Sequence, residues 1–366
     1  MIALLGSMTA VAYQRIVIDL AMMFGLLFIV TMALNLQYGN AGVPNMACGL
    51  SASVGGYVVN SIVTRLIFWI GMQAGLDILP WASKMDWMRN NCVNIDIMND
   101  YLQSHAFLGV TMFLLSLALA FVAGWALGYV ISLPAIRLKP TYLIIALITM
   151  GDASRIFGRR IVLISGGTGG MFVPNVLAWY PGDTTILNAV VTLTIGVVCY
   201  FILRTMLNSP SGRLMRAARE NGLTVNSVGK DATALRRNVL MFGSGITALA
   251  GVLLSYYYTY MIDTSFTSFT WTYLPWLMLM IGGPGNSAGT WIGCALVIAM
   301  RRLLIVFRGQ LEMFVWYPIV IFQQQLLGLL LLAVMILRPN GLISEKPLRI
   351  AAINYKRLMR EKSANQ

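Results

Sequence analysis

Charge is what this sequence has least of. Of its 366 residues only 11% are Asp, Glu, Lys or Arg, against about 25% in a soluble domain. That shortage excludes an ordinary water-soluble globule. Histidine occurs once, as His105, so a His-based metal site or a nucleophile–histidine pair has no visible second member. The four cysteines form no CxxC. Cys48, Cys199 and Cys294 lie in apolar stretches and Cys92 stands alone in a polar one, which implies neither zinc nor a disulfide framework. No GxxxxGK[ST] loop is present, and the Gly-rich run at Gly166–Gly170 lacks the Lys-Ser/Thr ending, so this chain is not expected to hold a nucleotide. The net charge of +13 sits mostly in short loops and a tail beside apolar segments. It therefore speaks for orientation in a bilayer and against nucleic acid. Met1–Ala12 has no basic leader and does not resemble a cleaved signal peptide.

What the chain does have is apolar length. It is 58% hydrophobic with a mean hydropathy of +0.74, the composition of an all-α polytopic membrane protein. Ile16–Leu36, Ala106–Ser132, Ile186–Met206, Val239–Met261 and Tyr317–Leu337 each have spanning length. Tyr142–Met150 and Thr272–Ile281 read as half-spans, and Trp291–Phe307 is interrupted by Arg301 and Arg302. With Met46–Ile70 added, the count is about eight to ten crossings, some broken or re-entrant. Gly71–Gln103 reads as a long, acidic, Trp-bearing outer loop. Positive residues put the tail, Asn208–Arg237 and Leu133–Pro140 on the cytoplasmic side, although Arg155, Arg159 and Arg160 then fall outside, against the rule.

Asn208–Arg237 is a basic island between spans. Ser209 is a plausible N-cap, Pro210 suits the first helical position and Gly222 reads as a stop. Arg213, Arg216, Arg219 and Glu220 fall at helical spacings. The prediction is a short amphipathic helix at one membrane face on which something soluble docks.

Three Gly-rich breaks are the candidates for a pathway: Gly39, Gly42 and Asn45; Gly166, Gly167, Thr168, Gly169 and Gly170; and Gly282, Gly283 and Gly285. Irregular backbone inside a bilayer survives only when it is buried in protein or lines a wet cavity. Gln37–Asn45 reads equally as a broken helix or as a surface turn. Asp152 suits an interfacial ion pair with Arg155 or Arg159 better than the coupling carboxylate of an ion-driven transporter, and Asp19 lies near a span end. No catalytic constellation is evident, so the chain is not expected to be an enzyme.

The island SPSGRLMRAARENG resembles the cytoplasmic loop of the permease subunits of branched-chain amino acid ABC transporters. Gly212, Arg213, Arg216, Ala217, Arg219, Glu220 and Asn221 match that family's G-R-x-x-R-A-x-R-E-N pattern. Gly39-Asn-Ala-Gly42 through Gly55-Gly56-Tyr57, Leu133-Pro-Ala-Ile-Arg137 through Tyr142-Leu143, Gly282-Gly-Pro-Gly285 and Arg338-Pro-Asn-Gly341-Leu342 are similar to other family segments. The chain departs from the family at Asn45–Cys48 and at Pro140. The resemblance implies a permease domain over residues 1–343, with a coupling loop at about 208–237 and a basic cytoplasmic tail at 344–366. Ser209 to Asn221 would be the coupling helix, docking on an ABC ATPase. It further implies a second homologous permease, an extracytoplasmic substrate-binding protein, a prokaryotic plasma membrane, and ATP with Mg held only by the partner ATPases. The implied cargo is a branched-chain or related amino acid, with urea or short amides and an ion-coupled secondary transporter as alternatives.

Overall fold

The computed structural model describes residues 10–81, 83–311 and 318–345. The basic tail from Lys346 and most of Met1–Ala12 lie outside them. The described chain is almost wholly helical. Its principal elements are α1 (Ala10–Leu34), α2 (Cys48–Gln73, with a π-helical turn at Val59–Val63), α3 (Lys84–Ser104), α4 (Ala106–Arg137), α5 (Pro140–Arg160) and α6 (Thr184–Asn208). There follow α7 (Pro210–Glu220), α8 (Gly222–Ser227), α9 (Ala232–Tyr258), α10 (Leu274–Gly282), α11 (Ser287–Val306) and α12 (Ile319–Leu337). Seven helices among the described residues are long and apolar enough to cross a membrane, and a shorter apolar stretch runs through Ile321–Leu337. The protein is thus an all-α polytopic membrane protein. The one sheet described is a two-stranded ribbon pairing β1 (Met171–Phe172) with β2 (Tyr260–Met261).

The core is built around α9. Its apolar window is 89% buried, whereas those of α4 and α5 are 28% buried and leave most of their surface for lipid. α4, α2 and α1 pack on α9. In a bilayer, lipid is as apolar as a side chain, so helices associate by close backbone approach at small residues. Gly251 and Gly55 do this for the α9–α2 pair: a Cβ on Gly251 would lie 1.9 Å from the Ala52 carbonyl oxygen, and one on Gly55 would lie 1.9 Å from that of Ala248.

Two expectations are corrected. The stretch 71–103 is largely helical, not a loop. Trp87, Asn91, Asn94, Ile95, Met98 and Leu102 form the buried face of α3. The two asparagines broke the apolar signal because their side chains serve the backbone of neighbouring loops. Asn94 bonds both the amide and the carbonyl of Leu79, at 2.9 and 3.0 Å, and Asn91 accepts from the Phe172 amide at 3.0 Å. Tyr142–Met150 is likewise no half-span, since α5 continues through Gly151 and Asp152 to Arg160. Its last turns are polar because Arg159 pairs with the buried Asp263 at 2.9 Å. Asp152 accepts from the Ser268 hydroxyl at 2.6 Å and lies 4.0 Å from Arg155. His105 is exposed and stacks on Tyr101 with ring centroids 4.0 Å apart.

The glycine contact predicts a sharp asymmetry. Gly251→Leu should destabilise the detergent-solubilised protein by about 1–3 kcal/mol or prevent its accumulation. Gly328→Ala, where no atom lies within 4 Å of the added Cβ, should leave thermal unfolding nearly unchanged. Equal behaviour of the two variants would contradict the packing.

Candidate functional site

The island folds into two short helices. Pro210 occupies the first turn of α7, as its fixed φ favours. The Ser209 hydroxyl does not cap the helix; it donates to the Met206 carbonyl at 2.6 Å. Asn221 ends α7 in an extended conformation, and its side chain then caps α8 by accepting from the amides of Leu223 and Thr224. Gly222 therefore starts the second helix instead of stopping the first. Asp231 caps α9 through the amides of Thr233 and Ala234.

One face of α7 is buried through Gly212, Met215 and Ala218. Gly212 leaves no room for a side chain, since its Cβ would stand 2.1 Å from the Leu207 carbonyl oxygen. Arg216 and Arg219 also turn inward. Arg219 donates to the Gly39 carbonyl and to Glu345, the latter at 2.8 Å. Arg216 reaches the Asn40 side chain at 3.4 Å and Glu345 at 3.7 Å. Burial alone would lower the Arg219 pKa; the hydrogen bond and charge of Glu345, then those of Glu220, outweigh it and hold the guanidinium above its ordinary value. Arg213, Ala217, Glu220 and Asn221 remain exposed, continued on α8 by Leu223 at 81% and on its C-terminal flank by Val228 at 74% exposure. Two bulky apolar side chains this open to solvent, rimmed by charge, are what a protein-binding surface requires.

Beneath the inward arginines the end of α1 breaks into a π-helical turn at Asn35–Asn40 and then into irregular backbone. Asn35, Gln37, Asn40 and Asn45 are each at most 1% exposed, so this stretch is a buried break and not a surface turn. Asn40 returns to the break's own backbone, donating to the Asn35 carbonyl at 3.0 Å, and the other amides tie the break to its surroundings. Asn35 accepts from the Gly285 amide at 2.8 Å, Gln37 donates to the Leu240 carbonyl of α9 at 3.2 Å, and Asn45 donates to Gln37 at 3.0 Å. Trp276 of α10 donates to the Asn45 carbonyl at 3.0 Å. The C-terminal segment closes the assembly: the amides of Leu342 and Ile343 donate to the carbonyls of Ile281 and Gly282, and Asn286 donates to the Ser344 carbonyl.

The structure thus brings two of the three Gly-rich breaks together and leaves the third apart. Gly39 lies against Gly285, where a Cβ would come within 2.5 Å of the Gly285 amide nitrogen. Gly42, at φ +71°, lies against the Arg219 side chain, and Gly283 and Gly285 are also left-handed, at φ +108° and +83°. Gly166, Gly167, Thr168, Gly169 and Gly170 instead form a turn on the β-ribbon, where the Gly169 carbonyl accepts from Tyr260. Glu345 and Asn35 are the junction residues that sequence reasoning missed. Neither belongs to a pattern, and Glu345 is 126 positions from its arginine. Among the described residues no group of three His, Cys, Asp or Glu could hold a metal ion.

The family described as the permease component of branched-chain amino acid transport systems matches residues 16–338. The chain is 32% identical over 328 residues to a protein of Methanocaldococcus jannaschii named probable branched-chain amino acid transport permease protein LivM, covering 89% of this chain and 92% of that one. It is 23% identical over 252 residues to the high-affinity branched-chain amino acid transport system permease protein LivM of Salmonella typhimurium, covering 62% of this chain and 56% of that one. It is also 23% identical, over 243 residues, to the protein of the same name from Escherichia coli, with 60% and 54% covered. No solved structure matches the chain. The chain belongs to this permease family.

The Arg219–Glu345 pair predicts measurable coupling. In a double-mutant cycle with Arg219→Ala and Glu345→Ala, thermal unfolding should give an interaction of about 1 kcal/mol that shrinks at high salt. Additive effects would mean that the pair contributes nothing.

Proposed function

We propose that this member of the permease family is the membrane-spanning subunit of an ATP-driven importer that carries branched-chain or related amino acids across the prokaryotic plasma membrane. The observation that carries the reading is the two-sided α7. Its outer face is open for a partner, while its inner face is bonded to a broken helix in the core. An ABC ATPase closing on ATP-Mg would push on Arg213, Ala217, Glu220, Asn221 and Leu223. Arg216 and Arg219 would pass that displacement to Gly39–Asn45 and to Gly282–Gly285. Both breaks hold left-handed glycines, which suits them to act as hinges.

The orientation follows from charge. With α7 and the tail from about residue 344 in the cytoplasm, the Asp-rich segment of α3 faces outward, and an extracytoplasmic binding protein would deliver cargo there. A second homologous permease would complete the translocation path. This subunit itself performs no chemistry and holds no nucleotide; the hydrolysis belongs to the partner ATPases. The names of its relatives favour amino acids over urea or short amides as cargo.

The test is co-purification from mild detergent. The unaltered chain should bring down ATPase subunits and a second permease. Arg213→Glu with Leu223→Asp should reduce the recovered ATPase about tenfold or more while leaving the permease pair and its thermal unfolding intact. Undiminished ATPase recovery from that variant would contradict the assigned docking face.

A further inference from the structure

The far end of the helices from α7 holds a cavity that the junction does not involve. Its volume is about 460 Å³, within the range of about 300–1,000 Å³ typical of small-molecule sites. It lies between the middle of α1, the C-terminal end of α9, the 264–271 segment and the second half of α11.

Its charges are unusual for a membrane-spanning segment. Asp19, Arg301 and Arg302 all line it. An ionised group on a spanning helix is costly unless it is paired or faces a wet cavity. Arg302 is paired: it donates to Asp19 at 3.4 Å, and Asp19 also accepts from Tyr257. Arg301 has no ion-pair or hydrogen-bond partner among the described residues, and the Nε atoms of both arginines are buried without one. Among the described residues the cluster therefore sets two guanidinium groups against one carboxylate. Asp19 keeps nearly half of its side chain open, at 48% exposure. The rest of the wall divides into hydroxyls, such as Thr267 and Thr270, and aliphatic groups, such as Leu27 and Ile298.

We infer that this cavity is a binding site for the zwitterionic head and aliphatic side chain of a free amino acid. Arg301, with the free edge of Arg302, takes the α-carboxylate by charge-assisted hydrogen bonds. Asp19 takes the α-ammonium with the lone pairs that Arg302 and Tyr257 leave free. Leu27 and Ile298 receive the branched side chain. A bound zwitterion gives Arg301 a carboxylate partner, meets the open side of Asp19 with its ammonium and adds no net charge to the site. The inference rests on the importer reading only for its biological sense, since the cavity would then open on the side from which cargo arrives.

The experiment is saturation binding of radiolabelled L-leucine to the purified full-length chain in nanodiscs of neutral lipid. Isocaproate, isoamylamine and inorganic phosphate serve as competitors. The first lacks the ammonium, the second lacks the carboxylate, and phosphate is an anion alone. We expect saturable binding. Isocaproate and isoamylamine should each compete about tenfold or more less well than unlabelled leucine. Arg301→Gln removes no described partner and should weaken binding by a similar factor. Ile298→Phe, which fills the aliphatic wall without touching a charge, should weaken leucine binding more than glycine binding. Lack of saturable binding by the folded, unaltered chain would overturn the inference. So would unchanged affinity in Arg301→Gln, or competition by isocaproate or phosphate as strong as that by leucine, which would mark a site for anions or lipid headgroups. Leucine binding without ATP-driven uptake by the assembled complex would count against the importer and not the site. Uptake that is indifferent to Arg301→Gln, with no binding, would count against the site alone.

Discussion

Arg219 joins the amphipathic α7 to the buried break at the centre of the helix bundle. Its guanidinium bonds a main-chain carbonyl of the broken α1 end and a carboxylate of the C-terminal segment, while its own helix packs on α6. A lone arginine at that depth would be costly. Acceptors on Gly39, Glu345 and Glu220 and a neighbouring Gly42 with no side chain allow it to sit there. Without it, α7 would keep its buried Met215 and Ala218, the longer Arg216 contacts and the Arg236 bond to the Ala218 carbonyl, but would lose its shortest links to the break and to the C-terminal segment.

The amides below Arg219 matter for the same reason. A broken helix inside an apolar body exposes backbone groups that water cannot reach, each costing about 1–3 kcal/mol if left unpaired. Asn40 and Asn45 meet part of that demand at the Asn35 carbonyl and the Ala47 amide, Gln37 and Asn35 tie the break to α9 and the Gly285 turn, and Trp276 of α10 takes up the Asn45 carbonyl. The side-chain nitrogen of Asn35 has no partner. A polar network of this kind rigidifies one arrangement strongly and tolerates few others. That is the property a transmission element needs, since a network that deforms gradually would absorb a push instead of passing it on.

Much of this was legible in the sequence because lipid simplifies the reading. Long apolar runs marked most of the spans, and Pro210 and Gly222 marked the start and end of α7 to within two residues, whereas α8 and its Asn221 cap went unread. What stayed hidden has specific causes. Arginines at helical spacing look the same whether they face out or in, so Arg216 and Arg219 could not be separated from Arg213. The partners that turn them inward, Glu345 and the Gly39 carbonyl, are remote in sequence. α3 was masked by asparagines on its buried face, which serve loop backbone instead of packing. Asp19 and Arg302 pair across 283 positions, and nothing local to either announces the cavity they share.

On the proposed reading Arg219 transmits motion as well as holding α7 in place. ATP hydrolysis compared with uptake in proteoliposomes containing the complete transporter, with and without Arg219→Gln, tests this. The variant complex should assemble and still hydrolyse ATP, but the amount of amino acid moved per ATP should fall several-fold. An unchanged ratio in a normally assembled complex would contradict it.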